Sequence, residues 1–286
     1  MPDAKSILTR IVLGAVLIAA VAGLLVLDHR LVIQLGDKQG FVLTGLVIVL
    51  GIMGFLELGR LTAAAGTKLL PVSGILGVVV VGTAPFWCQV TPYLFFDDLW
   101  ALLGFVVALA FLEQMLRHRT DDAARRIGAT LLGVLYLGAG SAVILAIRMN
   151  AFWGVPVVVV FLAAVKCTDI GAYFTGILLG RHKLIAWLSP GKTWEGLLGG
   201  LAFGAGAAVL SAWLLGIDLP PVRAAIFGAA VGAAGQFADL CESLLKRSAA
   251  VKDSSALLPA FGGVLDVLDS PLLSAPVAYV LLSVMA

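Results

Sequence analysis

WGVPVVVVFLAAVKCTDIGAYFTGILLG, residues 153–180, is a long apolar run with a lysine and an aspartate in its middle. A helix needs about 20 mostly apolar residues to cross the hydrocarbon layer of a membrane, and this run is long enough. It is one of nine such runs, at 8–27, 41–59, 69–90, 97–116, 127–147, 153–180, 195–217, 221–245 and 268–286. They are continuous rather than alternating, which points to helices and away from a β-barrel. Composition agrees: 61% of the 286 residues are hydrophobic, 13% are charged, and the mean hydropathy is +1.07. A soluble domain carries about 25% charge. The expected fold is an all-α, polytopic integral membrane protein with about nine transmembrane helices. Residues 1–150 are expected to be a packing and oligomerisation half, and 151–286 a catalytic half. The first run has basic flanks at Lys5 and Arg10 but runs on into LLVLDHR with no clear cleavage motif, so it reads as a retained span.

Charge distribution orients the chain. With the N-terminus in the cytoplasm, fourteen of the nineteen Lys and Arg residues fall on the cytoplasmic side, four fall outside, and Lys166 lies within a span. Cytoplasmic segments then include RHKLIAWLSPGKTWEG (181–196) and the loop after residue 245. Cys88, Cys167 and Cys241 lie far apart in apolar surroundings, which speaks against disulfides or a zinc site.

Ionisable residues inside spans are costly and usually face a bundle interior or a wet cavity. Charged spans are read only in the C-terminal half. Lys166 and Asp169 share a helix face with Tyr173, and Asp239, Ser243 and Lys246 share another, with Glu242 close by. A structural ion pair, Lys166 with Asp169 or Glu242, is the plainer reading. The repeat Gly196, Gly200, Gly204, Ala208 is a stripe for close helix packing.

SLLKRSAAVKDSSALLPAFGGVLDVLDS, residues 243–270, places Lys246, Arg247, Lys252 and the aspartates at 253, 266 and 269 beside the membrane. Asp266 and Asp269 are three apart, so both project to one side if a helix begins there. Three carboxylates, Asp239, Asp266 and Asp269, without His or Cys suit a hard cation such as Mg²⁺. Basic residues beside them suit a metal-bridged polyphosphate. Gly262 and Gly263 would let backbone N–H groups approach an anion. An ordinary basic loop obeying the topology rule explains the lysines and Arg247, but not the aspartates. SPGKTWEG lacks the upstream glycine of a Walker A loop.

The stretch 239–270 resembles the signature of the phosphatidate cytidylyltransferase, or CDP-diacylglycerol synthase, family: Ser-x-x-Lys-Arg, four residues, Lys-Asp, a Pro, His-Gly-Gly, and Asp-Arg-x-Asp. Here these are Ser243, Lys246, Arg247, Lys252, Asp253, Pro259, Gly262, Gly263, Asp266 and Asp269. DLCESLLKR (239–247) and TDIGAYFTGILLGRHKL…SPGKTWEG (168–196) also match. Phe261 stands where the family usually has His, and Val267 where it usually has Arg.

The resemblance implies transfer of a cytidylyl group from CTP to phosphatidic acid, with release of pyrophosphate. It implies Mg²⁺ held by Asp239 and Asp266, with Asp269 as ligand or close behind. Lys246, Arg247 and Lys252 would hold phosphates, and Lys192 would contact the triphosphate or the lipid phosphate. Ser189 and Thr193 would donate hydrogen bonds, and Asp169 would orient Lys166 or serve a second cation. The implied location is a bacterial cytoplasmic membrane with the site facing the cytoplasm. A homodimer is expected, and no nucleic-acid partner. Other readings stay open: a CTP-dependent transferase or kinase for another lipid such as an isoprenoid phosphate, a weakened paralogue, a transporter with an ion path, or a scaffold.

Overall fold

Every helix start leaves backbone N–H groups without a partner inside the helix. Within hydrocarbon each such group costs several kcal/mol, and the way this chain meets that demand organises much of it. The computed structural model describes residues 16, 19–31, 40–91, 99–150, 153–251, 254–255 and 262–285. Residues 19–31 are helical (α1). There follow α2 (Phe41–Ala64), α3 (Pro71–Val90), α4 (Leu99–Arg117) and α5 (Ala123–Gly133). A π-helical stretch, Val134–Ala139, joins α5 to α6 (Gly140–Met149). Then come α7 (Gly154–Leu179), strands β1 (Lys183–Ile185) and β2 (Ser189–Thr193), α8 (Trp194–Leu214), α9 (Pro221–Ser248) and α10 (Val264–Met285). The strands pair antiparallel, Lys183 opposite Thr193 and Ile185 opposite Ser189.

Eight helices among the described residues are long and apolar enough to cross a membrane, with α5, the π stretch and α6 counting as one. They coincide with the second to ninth runs read from the sequence. Half of the first run, 8–27, falls outside the described residues. The protein is an all-α polytopic membrane protein, with one small hairpin among the described residues.

The chain forms two compact units. One comprises residues 1–138 and 253–267; the other comprises 139–252 and 268–286. In the first, Phe55 of α2 is buried against Gly74 of α3 and Gly133 at the end of α5. Two of its helix starts lack a side-chain cap of their own, and a buried carboxylate from another helix serves instead. Asp28 of α1 accepts from Val42 N at 2.9 Å and Leu43 N at 3.4 Å. Glu113 of α4 accepts from Val72 N at 3.2 Å and from Ser73 N and Oγ at 2.7 Å each, while Leu70 N donates to Thr130 Oγ1. The reading that charged spans belong only to the C-terminal half is therefore corrected. Glu57 and Glu113 are buried charges in α2 and α4, held there because helix N-termini offer a positive dipole end and unsatisfied donors.

In the second unit α7, α8 and α9 pack together. The small-residue stripe of α8 is its buried face: Gly196, Gly200, Gly204, Ala208 and Ala212. A methyl group added at Gly200 would lie 2.8 Å from Thr168 O and 2.9 Å from Ala172 Cβ on α7, whereas one at Gly206 meets nothing within 4 Å. Gly200→Ala is therefore expected to destabilise the detergent-purified protein by about 1–3 kcal/mol. Gly206→Ala, on the same helix, is expected to leave the thermal midpoint unchanged or slightly raised.

Candidate active site

The β hairpin of the second unit carries a cation to α9. Lys192 of β2 places Nζ 2.6 Å from Asp239 Oδ2 and donates to the backbone oxygen of Gln236 at 3.0 Å. The hairpin leads straight into α8, where Thr193 is the N-cap and its hydroxyl accepts from Gly196 N at 3.1 Å. Thr193 is buried, so its oxygen serves the helix start rather than the open side of the hairpin. Glu195, in the first turn, accepts from the backbone N–H groups of Arg181 and His182 and bonds His182 Nδ1 at 2.5 Å. The hairpin is thus pinned at its base, which holds Lys192 in place. Ser189 is half-buried on β2.

Three carboxylates meet beside Lys192. Asp239 and Glu242 come from successive turns of α9 and Asp269 from α10, and one oxygen of each lies within 4.8 Å of the others. Glu242 is 1% exposed and Asp269 4%. Lys246, one turn beyond Glu242, donates to Glu242 Oε2 at 2.6 Å. Asp269 Oδ1 accepts from Ser270 N at 2.5 Å and Ser270 Oγ at 3.1 Å. A second polar chain runs toward α7: Gln236 Nε2 donates to Asp169 Oδ1 at 2.9 Å, and Lys166 Nζ is 3.5 Å from Asp169 Oδ2. Lys166 pairs with Asp169, and Glu242 with Lys246.

Three clustered carboxylates repel one another strongly where water is scarce. Lys192, Lys246 and Lys166 offset part of that charge. The donors are all hard oxygens, the kind that could hold a small divalent cation.

The structure thus brings together Asp239, Asp269, Lys192 and Lys246, with Lys166 and Asp169 close enough to act on Asp269 electrostatically. Ser243 sits half-buried on the intervening turn of α9. Arg247 turns to backbone oxygens, Leu188 O at 3.4 Å and Val251 O at 3.3 Å. Asp266, three residues before Asp269 on α10, has Oδ2 bonded by Gly263 N at 2.6 Å, Ser254 N at 3.2 Å and Ser254 Oγ at 2.5 Å. The N–H of Gly263 is thereby engaged within the chain, and Gly262 takes a left-handed φ of 89° that favours glycine. Lys252 and Phe261 lie outside the described residues. Gln236 and the part of Glu242 were missed from sequence. Glu242 had a signal, three residues from Asp239 on one face of a helix; Gln236 had only its polarity in an apolar run.

A family model described as the cytidylyltransferase family matches residues 8–285. The chain belongs to the cytidylyltransferase family. The phosphatidate cytidylyltransferase of Synechocystis sp. is 31% identical over 292 residues, covering 92% of this chain and 94% of that one. That of Bacillus subtilis is 30% identical over 245 residues, 82% of this chain and 88% of its own. That of Brucella suis is 34% identical over 199 residues, 68% and 70%. The family match spans the two compact units of this cytidylyltransferase-family protein, so the N-terminal helices belong to the family pattern as much as the acidic cluster does.

Proposed function

We propose that the protein transfers a cytidylyl group from CTP to phosphatidic acid, giving CDP-diacylglycerol and pyrophosphate. The observation that carries this is the convergence of Asp239, Glu242 and Asp269 with Lys192 resting on Asp239. It supplies carboxylates for a divalent cation and an ammonium for phosphate in one place. Nucleotidyl transfer is mostly positioning and charge neutralisation, and these residues provide both.

Asp239, Glu242 and Asp269 would hold Mg²⁺, and Asp266, three residues earlier on α10, would order the turn that leads to Asp269. Bound there, the cation supplies positive charge against the triphosphate oxygens. Lys192 exchanges Asp239 for a phosphate oxygen of CTP or of the lipid. Lys246, Arg247 and Lys252 neutralise the pyrophosphate that leaves. Ser189 and Ser243 donate hydrogen bonds to phosphate oxygens, and Gln236 holds Asp169 and Lys166 beside the lipid phosphate. An oxygen of the lipid phosphate attacks the α-phosphorus; the bond to it forms as the α–β bridging bond breaks. The lipid phosphate is already anionic near neutral pH, so no residue need remove a proton.

The excess of basic residues on one side supports a cytoplasmic site at a bacterial inner membrane, where CTP is present and the lipid arrives from the bilayer. Purified protein incubated with phosphatidic acid micelles, Mg²⁺ and labelled CTP tests the reaction. Label is expected in lipid from α-labelled CTP and not from γ-labelled CTP. Lipid labelling from the γ position would mean a kinase, and no lipid labelling from either would exclude transfer to this acceptor.

A further inference from the structure

Glu57 sits in α2, deep in an apolar sequence and far along the chain from every residue assigned to chemistry above. It is 4% exposed. Its carboxylate is nonetheless fully occupied. Oε1 accepts from Val264 N at 3.1 Å and Ser255 Oγ at 2.7 Å; Oε2 accepts from Leu265 N at 2.9 Å and Ser254 Oγ at 3.4 Å. Val264 and Leu265 are the first two residues of α10. Asp266, the third, reaches back to Gly263 N in the manner of a capping box. Two carboxylates, one from α2 and one from α10 itself, therefore take up three successive N–H groups at the start of the helix that bears Asp266 and Asp269. They also meet on Ser254, whose single hydroxyl proton faces both Asp266 Oδ2 and Glu57 Oε2. The fit leaves no slack: a side chain at Gly263 would strike both Ser254 Oγ and Glu57 Oε2.

We propose that Glu57 is a positioning residue for cytidylyl transfer. It fixes the first turn of α10, and with it the direction of the Asp266 carboxylate, from the N-terminal half of the chain. The proposal rests on the reading that Asp269, one turn further along the same helix, serves the cation. A charge that anchors N–H donors at a helix start orders that turn more strongly than a neutral acceptor. Ligands held within a fraction of an ångström by such outer partners bind metal more tightly, typically by tenfold or more. Glu113 offers a matched comparison, since it caps α3 in the same way but bears on no residue of the site.

The test compares Glu57→Gln with Glu113→Gln in purified protein. Glutamine keeps the volume of Glu57 but turns an NH₂ toward backbone N–H donors. Glu57→Gln is expected to raise the Mg²⁺ concentration for half-maximal activity by about tenfold and to weaken Mn²⁺ binding, followed by electron paramagnetic resonance without substrate, by a similar factor. Glu113→Gln is expected to lower the thermal midpoint while leaving both metal values as in the parent. Parent-like metal values in Glu57→Gln, or equal shifts in Glu113→Gln, overturn the proposal. Should Glu57→Gln not fold, Ser255→Ala decides: it deletes one of four donors, and an increase of about threefold in the Mg²⁺ requirement supports the proposal, an unchanged one overturns it. Failure of the cytidylyl-transfer reading would show separately, as no CDP-lipid from the parent protein.

Discussion

Asp269→Asn is expected to lower CDP-lipid formation by at least about a thousandfold while the protein remains folded. The substitution keeps shape and removes one negative charge. Asp269 is buried and shares its surroundings with Asp239 and Glu242. Without a bound cation that crowding of like charge opposes folding, so the thermal midpoint of Asp269→Asn in metal-free buffer is expected to rise above the parent's. Adding Mg²⁺ is then expected to raise the parent's midpoint and leave the variant's unchanged, because ligand that binds only the folded state stabilises by mass action. Activity and stability thus move in opposite directions. A structural ion-pair cluster would behave differently: both would fall together.

Lys192→Met is the second large effect. The ammonium sits 2.6 Å from Asp239 Oδ2 and is largely covered. While there, it competes with a divalent cation for the same carboxylate. Its removal is expected to tighten Mn²⁺ binding by about threefold to tenfold, the Coulombic consequence of one less positive charge at close range. Turnover is nevertheless expected to fall by about a hundredfold or more, because a phosphate oxygen loses the cation that would neutralise it. Measuring Mn²⁺ affinity and turnover on the same preparation checks both signs. Weaker metal binding in Lys192→Met would mean that Lys192 orients Asp239 instead of competing for it.

The membrane architecture was legible because hydropathy is a property of segments: each of the runs from residue 41 onward became a helix within a few residues of the expected ends. The stripe of α8 was legible for the same reason, since a four-residue repeat of small side chains can only be a face. The site was partly legible. Asp239, Asp269 and Lys192 stood out as charges whose neighbours in sequence gave them no reason to be there. Glu242 is visible only as a neighbour of Asp239, because spacing along one helix does not say which of two adjacent carboxylates a second helix will face. Glu57 was not legible at all as a partner of α10. Its sequence context is an ordinary apolar helix, and its partners are backbone N–H groups, which every residue has. A lone acid in a span is the signal, and the structure shows that Glu113 gives the same signal for a different helix. Pairing across some two hundred residues is decided by packing. The hairpin that delivers Lys192 gives no signal in SPGKT, which has the composition of a loop; there Lys183–Ile185 pairs antiparallel with Ser189–Thr193.

Cytidylyl transfer as proposed requires one divalent cation held by carboxylates from α9 and α10. Titrating substrate-free protein with Mn²⁺ and reading free ion by electron paramagnetic resonance measures this directly. The prediction is one site per chain in the parent, displaced by Mg²⁺, and lost when Asp239 and Asp269 are both changed to Asn. Undiminished Mn²⁺ binding in that double variant would contradict it.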